Sequence, residues 1–245
     1  MQNYRLTLCY EGTRYNGWQK QGNTQKTLQE KLETALGEVL GHPVEIAASG
    51  RTDAGVHARM QVMNFRSDTV KPPQQILEEL RGRLPEDIGA DSLETAGSRF
   101  HARLSCKEKI YVYRVWNSDR PNVFERRTMA AVPGALDLPA MQAAAESLTG
   151  KHDFSAFCTN SQMKKSTVRT LKALRIERLG SEVRFTLTGN GFLYNMARIL
   201  VGTLLQVGRG ERKPEEMAAI LASGDRKQAG PSAPAQGLTL WETVY

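Results

Sequence analysis

The segment SGRTDAGVHA, residues 49–58, contains the residue types of a reactive carboxylate site. Asp53 lies between Arg51 and His57, two side chains that can donate hydrogen bonds and that favour the ionised acid. A carboxylate kept charged in a cleft can act as a nucleophile or as a base. An aspartate in a glycine-bracketed turn after a strand is also commonly an Asx turn or a helix N-cap. The ten residues alone leave both roles open for Asp53.

The composition predicts a globular protein whose natural partner is a polyanion. The 245 residues are 40% hydrophobic and 24% charged, which is typical of globular chains, and the length allows one large domain or two ordinary ones. Lys and Arg outnumber Asp and Glu by 33 to 26, giving a net charge of +7. This balance favours nucleic acid over a cationic partner, although a merely basic surface accounts for the charge equally well.

Cysteine usage and the N-terminal segment indicate a cytoplasmic setting. Cys9, Cys106 and Cys158 are far apart and form no CxxC pair, so neither a disulfide framework nor a zinc cluster is indicated. The start MQNYRLTLCYEG shows strand-like alternation without the pattern of an export signal, and no run of about 18 apolar residues occurs. We therefore expect no membrane span.

Several common catalytic motifs are absent from the sequence. The patterns GxxxxGK[ST], GxGxxG, HExxH and GxSxG do not occur, so a phosphate-cradling loop, a dinucleotide site, a zinc protease site and a nucleophile elbow are not indicated. The four histidines have no metal-ligand spacing. We predict no metal site.

Hydrophobic periodicity and turn residues give the elements that must position Asp53. In the first half we predict strands at 4–10, 44–48 and 60–65 and helices at 27–40 and 72–84. We predict a loop between the first strand and the first helix, because the stretch there, YEGTRYNGWQKQGN, is rich in glycine and asparagine. Thr27 followed by Glu30 is typical of a capping box, and the second strand leads into the Asp53 segment.

The second half repeats this composition of elements. We predict strands at 109–116, 171–177, 183–188 and 238–245 and helices at 139–148 and within 192–208, the latter ending at Gly208. Each half thus has strands interleaved with two helices, which predicts an α+β fold of two similar lobes, each with a mixed or antiparallel sheet and helices on one face. We place the boundary near Arg103, with domains at 1–103 and 104–245.

The segment around Asp53 resembles the signature of the TruA-type tRNA pseudouridine synthases, since its Gly, Arg, Thr, Asp, Ala, Gly, Val and His match that family's nucleophile loop throughout. Further matches follow in the family's order: YEGTRYNGWQKQ near the start, LPEDI at 84–88, FHAR at 100–103, KxYxY at 109–113, HDFSAF at 152–157, GNGFLYNMARILVG at 189–202 and AGPSAPAQGL at 229–238. The resemblance covers essentially the whole chain and implies the pseudouridine synthase fold, with an active-site cleft between the lobes.

The resemblance implies that Asp53 is the catalytic aspartate, that Arg198 pairs with it and that Tyr111 packs against the target base. Isomerising uridine to pseudouridine cleaves an N-glycosidic bond and rejoins the detached uracil through carbon. No net redox change occurs and no group is transferred, so no cofactor is implied. A carboxylate can bond to the ribose or the ring, or stabilise a developing cation, and then leave again.

The physical properties of the implied site residues agree with these roles. Arg198 would hold Asp53 ionised by charge pairing. Tyr111 offers a flat face for a flipped uracil and a hydroxyl for proton relay, with core packing on a strand as the alternative. For Arg51 we expect either occupation of the space vacated by the flipped nucleotide or contact with phosphate, with a structural salt bridge as the alternative.

The substrate implied by the resemblance is tRNA, at uridines of the anticodon stem-loop around positions 38 to 40, bound by a homodimer whose two subunits grip one molecule. A track of phosphate-binding side chains would run over both halves: Lys20, Arg59, Lys164, Lys165 and Arg169. One competing hypothesis is a non-catalytic tRNA-binding protein or chaperone on the same scaffold. Another is a small-molecule hydrolase that uses Asp53, which would leave the basic charge balance without a use.

Overall fold

The computed structural model describes residues 1–160 and 166–245, which pack as two units. The first unit comprises Met1–Lys107 together with Leu240–Tyr245, and the second comprises Glu108–Thr239. Both contain helices and a β-sheet, which confirms the predicted α+β class. The division of the chain at residue 103 stays a prediction about domains.

The first unit is built around a central strand. Its elements are β1 (Gln2–Tyr10), α1 (Leu28–Leu40), β2 (Ala47–Ala48), β3 (His57–Ser67), α2 (Pro73–Arg81) and β4 (Ile88–Ala96). β1 runs antiparallel to β3 on one side and to β4 on the other, and β2 pairs antiparallel with β3. The even-numbered side chains of β1 from Tyr4 to Tyr10 are buried and the odd-numbered ones between them are partly exposed, as the alternation predicts.

α1 begins at the predicted cap. The Thr27 hydroxyl oxygen accepts a hydrogen bond from the Glu30 backbone N–H at 3.3 Å, and the Glu30 carboxylate pairs with Lys20 at 3.0 Å. One face of the helix is buried, and Gly41 ends it in the left-handed conformation with a φ of 78°. α2 is shorter than predicted, because after Arg81 the chain continues only as a turn with bonds to the Leu80 carbonyl.

The second unit contains the remaining helices. Its elements are β5 (Glu108–Trp116), β6 (Ala130–Ala131), α3 (Leu138–Glu146), β7 (Gly150–Asp153), β8 (Val168–Leu179), β9 (Glu182–Gly189), α4 (Met196–Gly208) and α5 (Glu216–Ser223). The sheet order is β5, β9, β8, β7 with antiparallel neighbours, and β6 lies parallel beside β5. The sheet of this unit is therefore mixed.

α4 is buried on nearly every side. A Cβ added at Gly202 would lie 1.9 Å from the Pro231 carbonyl oxygen, so the segment 229–233 packs directly on the helix backbone. The Thr203 hydroxyl donates to the Ile199 carbonyl at 2.7 Å and accepts the Gly230 N–H at 2.9 Å. The segment 229–233, which precedes the last strand, thus lies against α4.

The last strand, β10 (Leu238–Val244), contributes its residues from Leu240 onward to the first unit. There it lies beside β3 in the sheet. The Tyr245 hydroxyl donates to the Ala102 carbonyl at 2.7 Å, and the Lys107 N–H donates to the Val244 carbonyl at 2.8 Å. The C-terminal residues therefore complete a unit whose other residues come from the start of the chain.

Within the described ranges the longest helices have 13 residues, and none has the length and apolar character needed to cross a bilayer.

Replacing Thr27 by Ala tests the cap of α1. We expect the free energy of unfolding to fall by about 1 kcal/mol, because the Glu30 N–H loses its acceptor. Urea denaturation followed by circular dichroism measures this loss. Thr27→Ser keeps the hydroxyl and should retain most of the stability; an equal loss in both variants would show that the methyl group, and not the cap, supplies the stability.

Candidate functional site

Asp53 lies in the loop between β2 and β3, here termed the Asp53 loop and comprising residues 49–56. Its backbone carbonyl accepts the Val56 N–H at 3.1 Å, which closes a four-residue turn. Gly55, at the third position of that turn, has a φ of 78°, a conformation that favours glycine. The Asp53 side chain is half-buried. The turn fixes the backbone from which the carboxylate projects.

The start of the Asp53 loop is held by β3. The Ser49 N–H donates to the Val62 carbonyl at 2.8 Å and the Ser49 hydroxyl donates to the Gln61 side-chain oxygen at 2.5 Å. The amide nitrogen of Gln61 donates in turn to the Gly50 carbonyl at 2.8 Å. Gln61 is fully buried, so one core side chain holds the chain just before Asp53.

Thr52, the residue before Asp53, is held by its side chain and by its backbone. Its hydroxyl is 2.8 Å from the Tyr10 hydroxyl, and its carbonyl accepts the Trp18 N–H at 3.0 Å. Burial raises the pKa of Tyr10, so the phenol stays neutral and can donate at physiological pH. Together these bonds restrict the position of the Asp53 backbone from the N-terminal side.

Two glycines bring a second loop against the Asp53 loop. We call residues 11–26 the N-terminal loop. A Cβ added at Gly12 would lie 2.0 Å from the Val56 carbonyl oxygen, and one at Gly17 would lie 3.0 Å from the Thr52 carbonyl oxygen. Gly17 also has a φ of 87°. The two backbones thus pack directly on each other at both ends of the turn, which side chains at these positions would prevent.

His57 connects the same two loops. The ring is buried, and its Nδ1 accepts the Gly12 N–H at 2.9 Å. Because Nδ1 accepts, the neutral ring carries its proton on Nε2. The Glu11 carboxylate oxygen lies 3.4 Å from the same Nδ1. The ring thus joins the N-terminal loop to the start of β3.

Asp87 anchors the N-terminal loop to the start of β4. Its carboxylate accepts Arg14 Nε at 2.7 Å and the Tyr15 hydroxyl at 2.5 Å, and its carbonyl accepts the Glu11 N–H at 2.9 Å. Burial by itself would raise the pKa of Asp87, but the bonds from Arg14 and Tyr15 outweigh it and lower that pKa below its usual value. Asp87 therefore stays ionised and holds the loop.

The second unit contains two of the predicted site residues, Tyr111 and Arg198. Tyr111 lies on β5, is 7% exposed, and meets the Phe192 ring edge-on at a centroid distance of 4.9 Å. Tyr113, two residues further, is fully buried and donates its hydroxyl to the Pro234 carbonyl at 2.8 Å. Tyr113 thus packs in the core, and the role of Tyr111 stays a prediction.

Arg198 lies in the first turn of α4 and is half-buried. Its Nε donates to the Ala233 carbonyl at 2.7 Å, and its Nη1 donates to the Asn195 side-chain oxygen at 2.9 Å. The Ala233 N–H returns a bond to the Arg198 carbonyl at 3.0 Å. Two bonds from adjacent edges of the planar group fix the orientation of the guanidinium.

Asn195 is a residue that the sequence analysis missed. Within the described ranges it is the only residue other than glycine with a positive φ, at 60°, a conformation that asparagine tolerates better than most residues. Its amide nitrogen donates to the Thr159 hydroxyl at 2.9 Å while its oxygen holds Arg198. An asparagine directly before a helical pattern was the available signal, but it suggests a cap, and the side chain makes no cap bond.

The predicted basic residues occupy varied environments. Arg51 is exposed and lines a cavity of about 250 Å³ beside the Asp53 loop. Lys20 pairs with two glutamates, Arg59 stacks on the Trp241 ring at 4.8 Å, and Arg169 donates to the Ser166 and Val168 carbonyls. Lys164 and Lys165 lie outside the described residues. The residues that the structure describes contain no cluster of three or more histidine, cysteine or acidic side chains that could hold a metal.

Comparison with known proteins gives matches over most or all of the chain. A family model described as tRNA pseudouridine synthase matches residues 8–104 and 144–245, which include Asp53 and Arg198 and leave out Tyr111. A curated tRNA pseudouridine synthase A of Brevibacillus brevis is 44% identical over 245 residues, covering all of both chains. Similar proteins of Bacillus sp. strain KSM-64 and of Clostridium perfringens are each 42% identical, covering 98% and 100% of both chains.

Replacing Gly12 by Ala tests the contact between the two loops. A Cβ 2.0 Å from the Val56 carbonyl oxygen forces the backbones apart, so we expect the free energy of unfolding to fall by about 1–3 kcal/mol. Amide hydrogen exchange of residues 50–57 should accelerate as well. Gly22→Ala, in the same loop with open space around it, is the matched control. Equal effects in both variants would contradict the proposed close contact.

The lowered pKa of Asp87 predicts a contribution to acid sensitivity. A carboxyl whose folded pKa is depressed stabilises the fold above its unfolded pKa of about 3.9, and this stabilisation is lost as pH falls through the folded value. The stability difference between wild type and Asp87→Asn should therefore shrink below about pH 4. Urea denaturation at several pH values measures it, with the exposed Asp91→Asn as control. A difference independent of pH would refute the charge-based anchor.

Proposed function

Because the chain belongs to the tRNA pseudouridine synthase family, we propose that it isomerises uridines of the anticodon stem-loop, around positions 38 to 40, with Asp53 as the nucleophile. The chain is an isomerase that acts on tRNA. The family membership supports the reaction, and the structure of the Asp53 loop supports the choice of nucleophile.

The observation that carries the assignment of Asp53 is the restraint on its loop. β3, the Tyr10 hydroxyl and the N-terminal loop all hold the backbone immediately around this residue. A nucleophile held in position reacts with less loss of motion in the transition state than a mobile one does. In an Asx turn the aspartate side chain itself stabilises the backbone, so contacts from three neighbouring segments would not be needed.

The reaction balances without an external reagent. The bond between C1′ of the ribose and N1 of uracil breaks, the ring turns, and a bond forms between C1′ and C5. The proton on C5 leaves and N1 ends protonated, so no electrons are gained or lost. The Asp53 carboxylate donates an electron pair to the ribose or to the ring, or stabilises a developing cation, while the uracil is detached. The carboxylate is free again once the carbon–carbon bond has formed.

In the proposed site, Arg198 pairs with Asp53 and keeps it ionised. The clamp formed by the Ala233 carbonyl and Asn195 supports this role, because a guanidinium that is already oriented loses little freedom on pairing. Tyr111 packs against the target uracil and its hydroxyl relays the C5 proton. The edge-on contact with Phe192 gives the Tyr111 ring a fixed orientation.

The partner and the assembly follow from the same proposal. A net charge of +7 suits a phosphate-rich substrate. We infer a cytoplasmic homodimer in which two subunits bind one tRNA. Analytical ultracentrifugation of the chain with and without tRNA measures both stoichiometries, and a monomer that binds one tRNA would contradict this arrangement.

Replacing Asp53 by Asn tests the nucleophile. On tRNA that carries tritium at C5 of its uridines, wild type should release the label, because that carbon becomes the glycosidic carbon. Asp53→Asn should bind tRNA and release label at least about a thousandfold more slowly. Asp91→Asn, which changes an exposed carboxylate of the same unit, should react like wild type. Circular dichroism confirms that all three proteins are folded.

Three outcomes would contradict the proposal. Release that continues unchanged from tRNA with cytidine at positions 38 to 40 would refute the anticodon stem-loop as the target. A folded wild-type protein that binds tRNA and releases no label from any substrate would favour the non-catalytic tRNA-binding protein or chaperone. Release by Asp53→Asn at the wild-type rate would show that another group is the nucleophile.

A further inference from the structure

A small cavity in the first unit lies directly beside the Asp53 loop. It has a volume of about 250 Å³ and is lined by Trp18, Gln19, Gln29, 46–48, Gly50, Arg51, His101 and Arg103. The volume is below the roughly 300–1,000 Å³ of usual small-molecule pockets. It suits a single compact group more than a whole cofactor.

Trp18 supplies one hydrogen-bond donor to the lining of the cavity. The residue is 2% exposed, and its indole N–H makes no hydrogen bond to any residue in 1–160 or 166–245. The backbone N–H of Trp18, by contrast, is bonded to the Thr52 carbonyl. The indole nitrogen itself is open to solvent and can only donate a hydrogen bond. The cavity is the place from which an acceptor can reach it.

His101 supplies a second donor. Its Nδ1 accepts the backbone N–H groups of Arg103 at 3.1 Å and Leu104 at 3.4 Å. The neutral ring therefore carries its proton on Nε2. The turn at 101–104 thereby fixes the ring so that Nε2 is the nitrogen left to serve the cavity.

Two arginines complete the lining. Neither Arg51 nor Arg103 forms an ion pair or side-chain hydrogen bond with any part of the chain that the structure describes, and no carboxylate lines the cavity. Two other cavities of the same unit differ, since Glu33 and Glu38 line one and Glu38 lines the other. A lining with two guanidiniums and two ring N–H donors selects an anion with several acceptor oxygens.

We propose that this cavity binds a backbone phosphate of the substrate RNA next to the target uridine. The identity of the RNA rests on the function proposed above. Arg51 is two residues before Asp53, so at most about 7 Å of chain separates their Cα atoms. A phosphate in the cavity is therefore an immediate neighbour of the nucleotide that reacts, and its contacts position that nucleotide without reading its base.

Arg103→Gln tests the site by binding. Affinity for tRNA should fall about tenfold, and the slope of log K against log salt should become shallower by about one, because one phosphate contact is lost. Trp18→Phe keeps an aromatic ring but removes the indole N–H donor together with the second ring, and it should also weaken binding. Arg99→Gln is the matched control: Arg99 is exposed in the same segment and does not line the cavity.

RNA with single neutral methylphosphonates identifies the source of the phosphate. At one position flanking the target uridine, the neutral group should weaken binding to wild type and to Arg99→Gln and have a smaller effect on Arg103→Gln, which has one guanidinium fewer in the cavity. If no flanking position shows this coupling, the cavity does not hold an RNA phosphate and takes at most a free anion. Unchanged affinity and salt slope in both Arg103→Gln and Trp18→Phe would also overturn the proposal.

The outcomes separate this proposal from the function on which it rests. Tritium release by wild type with no coupling at the cavity refutes the phosphate site alone. Coupling at the cavity without tritium release keeps the phosphate site and refutes the proposed chemistry at Asp53.

Discussion

The close approach of Gly12 to the Val56 carbonyl oxygen is the contact on which the geometry of the Asp53 loop depends. Hydrogen bonds hold the loop on its β3 side, and this backbone contact holds it on the opposite side. Gly17 makes a similar approach at Thr52, and Asp87 keeps the whole N-terminal loop in place through Arg14 and Tyr15. The position of the Asp53 carboxylate thus depends on contacts spread over the first 90 residues. Most of these contacts do not involve the carboxylate itself.

The second unit uses the same kind of packing around Arg198. Gly202 allows the segment 229–233 to approach the α4 backbone, and that segment provides the Ala233 carbonyl that holds the guanidinium. Asn195 completes the clamp from the other side, in a backbone conformation that few residues adopt without strain. In both units the missing Cβ of a glycine sets the distance between two backbones, and a polar side chain is oriented as a result.

The sequence predicted the elements whose signals are local. Thr27 and the apolar spacing behind it predicted α1, and the alternation from Tyr4 predicted β1. α5 was missed because it is eight residues long, buries only Met217 and Ile220, and has no side-chain cap bond. β4 was missed because its buried residues do not alternate regularly, and its pairing with β1 is interrupted by a shift in register.

The residues of the candidate site also differ in whether a local sequence signal marks them. Asp53 and Arg51 could be proposed from the sequence because a short, contiguous motif contains them. The clamp on Arg198 could not, since Asn195 and Ala233 are 38 residues apart and meet only in the folded unit. The cavity lining combines residues near 18, 50 and 101 for the same reason, and no local pattern marks residues that come together only through the packing of separate segments.

The C-terminal residues that complete the first unit have a consequence for synthesis on the ribosome. Residues 240–245 lie beside β3 and bond to the backbone at 102–107, yet the whole second unit is translated before they appear. At roughly 5–20 residues per second, that takes on the order of ten seconds. During this interval the nascent first unit lacks its neighbour strand, and the edge of β3 is open to other chains. Early release of the polypeptide would leave the Asp53 loop attached to an unfinished sheet.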